Sequence, residues 1–256
     1  MEEERIVTKQ ALLTISAGKR LIAKAVSSLA QIQKALENHT IIIVAGTTNG
    51  YIAEELLKQL DQMGDFSRNT FFRGVTTQPG KKVEQGAYFA KDIVLRKGKW
   101  IDGENIFTMA PKLGQGDVIL KGGNAVDAAR KEVGILIGHP EVGTSVPILQ
   151  AVIGRRAELI LPIGLEKRVI GDIGTIAAKL NAPNTSGVRM LAVSGTIVTE
   201  LDALERLTGV SAELVASGGI YGAEGSYWFA VTGREDQVDQ ALELMKSIAG
   251  EPAFGA

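Results

Sequence analysis

Thr40-Ile41-Ile42-Ile43-Val44-Ala45-Gly46-Thr47-Thr48-Asn49-Gly50-Tyr51-Ile52-Ala53-Glu54-Glu55-Leu56 is a strand, a glycine-containing turn and the opening of a helix. The run 40–44 is β-branched and apolar on both faces, the pattern of a parallel strand buried between helices. Gly46-Thr47-Thr48-Asn49-Gly50 turns the chain. From Tyr51 to Leu60, the apolar residues Ile52, Leu56, Leu57 and Leu60 return at helical spacing. Upstream, Ile22, Ala25, Val26, Leu29, Ile32 or Gln33, and Leu36 form one stripe, with Lys19, Arg20 and Lys24 off it, and this predicts a single amphipathic helix over 19–36.

Downstream, 71–77 reads as a strand, 78–86 as a polar excursion, and 92–101 as a hairpin turning at Lys97-Gly98-Lys99. Short apolar runs at 117–120, 134–137 and 159–163 are further strands, each followed by a turn that contains glycine. Parallel sheets hold ligands at the carboxyl ends of their strands, which is where these glycines fall. Ala182-Pro183-Asn184-Thr185-Ser186-Gly187 is the linker candidate. Beyond it come a strand over 188–198, a helix over 199–207 capped by Thr199, strands over 212–216 and 226–232, and a long helix over 235–248. That βαββα order is most of a split βαβ, ferredoxin-like module. The expectation is an α/β protein with a parallel-sheet, Rossmann-like main domain, 1–185, and a C-terminal α+β ferredoxin-like module, 186–256.

Composition excludes several classes of function. The 256 residues are 45% hydrophobic and 22% charged, the balance of a folded chain rather than a disordered one. A formal charge of −1 offers no general field for nucleic acid, and 5% aromatics offer little surface for stacking bases. The chain has no cysteine and only two histidines, His39 and His139. That removes disulfides, thiolate zinc sites and a cysteine nucleophile, and leaves no basis for expecting a metal or other cofactor. The start Met1-Glu2-Glu3-Glu4-Arg5 is acidic where a secretory signal is basic, and no apolar run reaches the ~20 residues that span a bilayer. A cytoplasmic protein with no membrane partner is expected; a homo-oligomer is compatible with the sequence.

Four segments carry candidate chemistry. Gly46-Thr47-Thr48-Asn49-Gly50 brings backbone N–H groups, hydroxyls and a helix N-terminus together, as an anion needs, although the same residues also make an ordinary turn and cap. It is neither a Walker loop nor a G-x-G-x-x-G fingerprint. Lys121-Gly122-Gly123 follows the strand 117–120 and points a charge from a strand end beside two glycines. In Gly138-His139-Pro140-Glu141-Val142-Gly143-Thr144-Ser145, His139 reads as a turn residue, while Gly143 and Thr144 repeat the glycine and hydroxyl chemistry of the first turn. Glu166-Lys167-Arg168 after 159–163 suits an anion or a surface ion cluster equally.

Two of these segments also carry a resemblance. Residues 41–56, as quoted above, are similar to the first strand, loop and helix of ribose-5-phosphate isomerase A and its glucosamine-6-phosphate deaminase relatives. They are similar, too, to the sugar-phosphate-sensing domains of DeoR-type regulators. Asp117-Val118-Ile119-Leu120-Lys121-Gly122-Gly123 resembles the isomerase's Lys-Gly-Gly turn. The resemblance is to the NagB/RpiA/CoA-transferase-like superfamily and covers 40–126 in patches. It implies that Gly46, Thr47, Thr48 and Asn49 cradle a phosphate, with Lys121, Gly122 and Gly123 at the sugar-phosphate turn. Gly143, Thr144 and Lys167 are further candidates to hold the ligand. The isomerase's acidic segment is replaced here by Met109-Ala110-Pro111-Lys112-Leu113-Gly114, and its catalytic glutamate by Arg130. Proton transfer between carbons needs a carboxylate, so the candidate catalytic set is Lys121 with Asp127 or Glu132. The expected function is binding a small phosphorylated, sugar phosphate-like metabolite, with isomerase-like chemistry if it is an enzyme. The alternatives are a non-catalytic ligand sensor and acyl-CoA transferase-like chemistry, for which Glu224 beside Gly225 is the candidate nucleophile.

Overall fold

The computed structural model describes residues 5–73, 76 and 91–255, and the chain is mixed α/β. At its centre lies a six-stranded sheet. β2 (Thr40–Ile43), β5 (Val118–Leu120), β8 (Glu158–Pro162) and β10 (Thr196–Val198) run parallel in that order. The hairpin β3 (Ile93–Arg96) and β4 (Lys99–Trp100) adds antiparallel to the other side of β2. The β-branched run has the two-sided burial that its pattern predicts. Ile41 and Ile43 share one core with Val118, Leu120 and Ile160, against α1 (Ile15–Ser27), α2 (Ala30–Asn38) and α3 (Thr47–Gln59). Ile42 and Val44 join Ile119, Leu159 and Leu161 in the other, with Ile106 and Met109 of α4 (Ile106–Met109) and Ile148 of α5 (Ser145–Leu149). Apolar faces on both sides must be covered, and the helices cover them.

The single helix expected over 19–36 is two. The Ser28 hydroxyl donates to the Ala25 carbonyl at 2.8 Å, and Leu29 takes an extended conformation that buries its side chain. A serine bonded back to its own helix competes with continuation, and here it ends α1.

Two smaller sheets flank the centre. β6 (Ala125–Asp127), β7 (Glu132–Ile137) and β9 (Arg189–Val193) form one in the order β6-β7-β9, with α6 (Ile173–Leu180) against it. The other has the order β1-β12-β11: β1 (Ile6–Leu13), β12 (Ser226–Arg234) and β11 (Ser211–Gly218), packed with α7 (Glu200–Thr208) and α8 (Glu235–Ile248). Here the structure differs from the expected strand over 188–198, which breaks at Ser194-Gly195. A Cβ on Gly195 would lie 2.7 Å from the Leu159 carbonyl, so the chain crosses the edge of β8 there. β9 then pairs with β7, and β10 with β8. The third sheet takes its remaining strand from the N-terminus, where β1 pairs with β12 over all eight of its residues.

The hairpin over 92–101 and the helix over 235–248 stand as expected. Phe71–Arg73 carries no strand among the described residues, and the rest of the strand expected over 71–77 and the excursion over 78–86 fall almost wholly outside them. Among the described residues, no helix is long and apolar enough to cross a membrane.

Candidate functional site

Because β2 and β5 are parallel neighbours, the turns after them leave from the same end of the sheet. Asn49, in the first turn of α3, fixes that geometry: its amide donates to the Val44 carbonyl at 2.8 Å and the Leu120 carbonyl at 3.0 Å. It ties the two strand ends together through its amide nitrogen, while its Oδ1 is buried without a partner among the described residues. Asp92, wholly buried, does the same on the other side. Its carboxylate accepts from Ala45 N (3.0 Å), Ile106 N (2.9 Å) and the Arg73 guanidinium (2.7 Å). Three donors account for a carboxylate buried this deeply.

Above these strand ends lies a cavity of about 480 Å³, within the range of small-molecule sites. Val44 and Ala45 form its floor, the end of β7 with the following loop (residues 135–145) one wall, and Arg73, Phe107 and Lys121 the rest. Its lining is largely apolar with a few convergent polar groups. Lys121 follows β5, anchored by its N–H to the Ile160 carbonyl at 3.0 Å. Part of the side chain stays open to the cavity, but burial, then the charges of Arg73 and Lys167 against that of Asp92, lower its ammonium to about 8. Among the described residues, no carboxylate lies within ion-pair distance of it.

The remaining predicted residues divide into three groups. Gly143 and Thr144 line the cavity with His139, whose Nδ1 accepts from Glu141 N in a turn bond. Gly46 and Thr47 begin α3 immediately after the lining residue Ala45, and Gly46 places no side-chain cap on that helix. Thr48 is buried, and its hydroxyl has no partner among the described residues. Gly122 lies against the Pro162 carbonyl, and Gly123 lets β5 and β7 approach: a Cβ on it would strike Val133 and lie 2.8 Å from Ile163 Cδ1.

The two acidic candidates turn elsewhere. Asp127 accepts from Ala129 N, Arg130 N and the Arg130 guanidinium, closing the turn from β6 to β7, and bonds to the Arg130 backbone and side chain hold its carboxyl below the usual range. Glu132 accepts from Ile173 N at 3.3 Å, at the N-terminus of α6. Neither lines the cavity. Glu224 sits in the β11–β12 loop with its carboxylate on Gly222 N.

A second polar group, which the sequence reading missed apart from Glu166 and Lys167, occupies the ends of the next two parallel strands. Residues 164–167 follow β8, and Thr199-Glu200 follows β10, where Thr199 and Asp202 form a capping box. Glu200 is completely buried, with one oxygen accepting from Leu165 N at 2.9 Å. Glu166 accepts from the Tyr227 hydroxyl at 2.7 Å, while its own N–H donates to that hydroxyl at 3.0 Å. Lys19 of α1 and Lys167 bring their ammonium groups to 3.9 and 3.7 Å from Glu166. Burial, then the neighbouring Glu166 charge, raise Glu200 to about 8. Burial alone would raise Glu166 as well, but Lys167 and Lys19 reverse that and hold it low. Nothing in the sequence marks Lys19, Glu200 and Tyr227 as neighbours, because they come from three distant elements. Among the described residues, no group of acidic and histidine side chains is arranged to hold a metal ion.

No family model matches this chain, and comparison with curated proteins and with solved structures finds no match either.

Proposed function

We propose that the chain binds a small phosphorylated metabolite in the cavity at the carboxyl ends of β2 and β5. Lys121 meets the phosphate with Arg73 beside it, and the carbon skeleton lies along Phe107, Ile135 and Ile137. The observation that carries this reading is Lys121 itself: a lysine lowered to about 8 by burial, with no carboxylate partner among the described residues, opening onto a cavity of ligand size. Burying a cation without a counter-charge is costly unless a ligand supplies one. The free N–H groups in the first turn of α3 add a positive end at the same edge of the sheet. The reading treats the central sheet as Rossmann-like, with its crevice where strand addition changes direction on either side of β2. Asp127 and Glu132 are committed to backbone groups elsewhere, so the cavity is a binding site first.

Thermal-shift measurements with sugar phosphates, nucleotides and coenzyme A esters test this reading. A sugar phosphate should raise the melting temperature, and Lys121→Met should weaken its binding by on the order of 10- to 100-fold, the loss of one charge-assisted contact. Because Lys121 loses its proton as pH rises through about 8, wild-type affinity should fall between pH 7 and about 9, and the Met variant should lack that fall. If no phosphorylated compound shifts the melting temperature, or Lys121→Met binds as tightly as wild type, the proposal fails.

A further inference from the structure

The cavity above β2 and β5 is rich in hydrogen-bond donors. The Lys121 ammonium, Asn124 Nδ2 and the N–H groups of Gly143 and Thr144 make no hydrogen bond among the described residues. Arg73 adds a guanidinium to the same lining. His139 Nδ1 accepts from Glu141 N at 3.1 Å, which leaves Nε2 to carry the proton of the neutral ring and makes that edge a donor as well.

Acceptors are missing or already engaged. Among the described residues, no carboxylate lines the cavity, and Asn124 is the only amide side chain that does. Its Oδ1 accepts from Leu136 N at 3.0 Å. Asp92, next to the floor, holds its three donors. Along the loop wall the carbonyls of His139, Val142 and Thr144 accept from Val142 N, Ser145 N and Ile148 N at 3.1, 3.3 and 3.4 Å. The hydroxyls of Thr144 and Ser145 can accept as well as donate, and they are neighbours on one loop. Much of the remaining lining is hydrocarbon, from Val44, Phe107, Ile135, Ile137, Pro140 and Val142.

Resting on the binding reading above, the geometry points to a ligand of narrower class: a phosphate monoester whose body is hydrocarbon and carries at most one hydroxyl. The ionised phosphate brings acceptors only, and the free donors of the cavity answer it. Thr144 or Ser145 takes the single hydroxyl. A polyhydroxylated sugar phosphate presents the same phosphate, but each further hydroxyl loses water on entry and finds no acceptor. An unpaired donor of this kind weakens binding on the order of 10-fold, and apolar pockets reject an added hydroxyl by up to about 100-fold. Val142 is the residue that most plainly sets this preference. It is β-branched yet held at φ 64°, a left-handed conformation that valine resists and asparagine tolerates. Asparagine there would relieve the backbone and supply the missing acceptor; valine lines the cavity with methyl groups instead.

Isothermal titration of the full chain with two matched pairs of probes tests this. Pentyl phosphate and ribose 5-phosphate share a five-carbon body and one phosphate; propyl phosphate and glycerol 3-phosphate repeat the comparison with three carbons. In any pair that binds, the alkyl ester should bind at least about fivefold tighter, the low end of the cost of one unpaired donor. A smaller gap, or a tighter sugar phosphate, overturns the inference and leaves the anion cavity standing. No binding of any of the four sinks the binding reading and this inference with it. Val142→Asn then places the preference in the cavity: it should narrow the gap by at least about threefold through tighter binding of the hydroxylated member. A gap that narrows less overturns the inference. Should Val142→Asn fail to fold, Phe107→Gln, at a position 53% exposed on α4, replaces it under the same criterion.

Discussion

At the scale of single residues, Glu200 has the most measurable consequence for stability. Its folded-state value of about 8 lies above its ordinary 4.5, so the native state holds this proton more tightly than the unfolded chain does. The resulting stabilisation is complete below the ordinary carboxyl range and is lost as pH rises through about 8, at most ~1.4 kcal/mol for each pH unit in that window. Lys19, Lys167 and Tyr227 surround the group, and Lys19 is itself lowered from the ordinary lysine value by burial. Glutamine keeps the shape of the protonated acid and cannot ionise. Glu200→Gln should therefore melt with wild type at about pH 5 and above it at about pH 9. The check is a series of thermal melts across that range; parallel curves for the two proteins would show that Glu200 holds no raised proton.

At the scale of elements, an ionic network ties helices together. Arg20 of α1 reaches Glu55 of α3 at 2.7 Å and Glu251 beyond α8 at 2.9 Å, and it bonds Glu54 as well. Arg68 meets Glu251 at 2.8 Å, and the two guanidiniums lie 4.9 and 4.5 Å from the centre of the buried Tyr51 ring. Two guanidiniums, three carboxylates and one aromatic ring thus join α1, α3, residues 68–70 and the tail after α8. Burial opposes the charge on Arg20, but the hydrogen bonds it donates to Glu251 and Glu54 outweigh it and raise its value. Removing one partner leaves the others buried with excess negative charge, which is the costly way to break such a network. Arg20→Met should cost ~2–4 kcal/mol, the low side of the usual range because the carboxylates keep some solvent. Denaturant unfolding measures it, and a loss under ~0.5 kcal/mol would reduce the network to a surface cluster.

At the scale of the whole molecule, legibility in the sequence follows the range of the interactions. The β-branched run of β2, the turn at Lys97-Gly98, the Thr199 cap and α8 depend on neighbours a few residues away, and the pattern over 40–60, 92–101 and 199–248 carries them. The pairing of Lys121 with the cavity follows from two parallel strands and was legible as two turns at one sheet edge. Three features were not legible: the break at Ser28, the split of β9 from β10, and the meeting of Lys19, Glu166, Glu200 and Tyr227. The last two depend on residues far apart in the chain, for which local periodicity carries no information, whereas the break at Ser28 rests on a local bond to Ala25 that the apolar stripe does not register. The extreme case is β1, whose partner Ile6↔Arg234 is separated from it by nearly the whole chain. Its alternation, outward Ile6, Thr8, Gln10 and Leu12 against inward Val7, Ala11 and Leu13, fits a half-buried strand only once β12 lies beside it. This pairing locks the two ends of the chain together, and it holds Tyr227, paired with Leu13, beside Glu166. A chain lacking residues 1–13 leaves the β12 ladder unpaired on that side and exposes Val231 and Phe229 of the shared core. Its β12 amides should lose hydrogen-exchange protection together, ahead of those of β2 and β5. Protection of β12 unchanged in the shortened chain would show instead that β11 and α8 hold that sheet alone, and that the seam over Glu166 and Glu200 does not depend on the N-terminal strand.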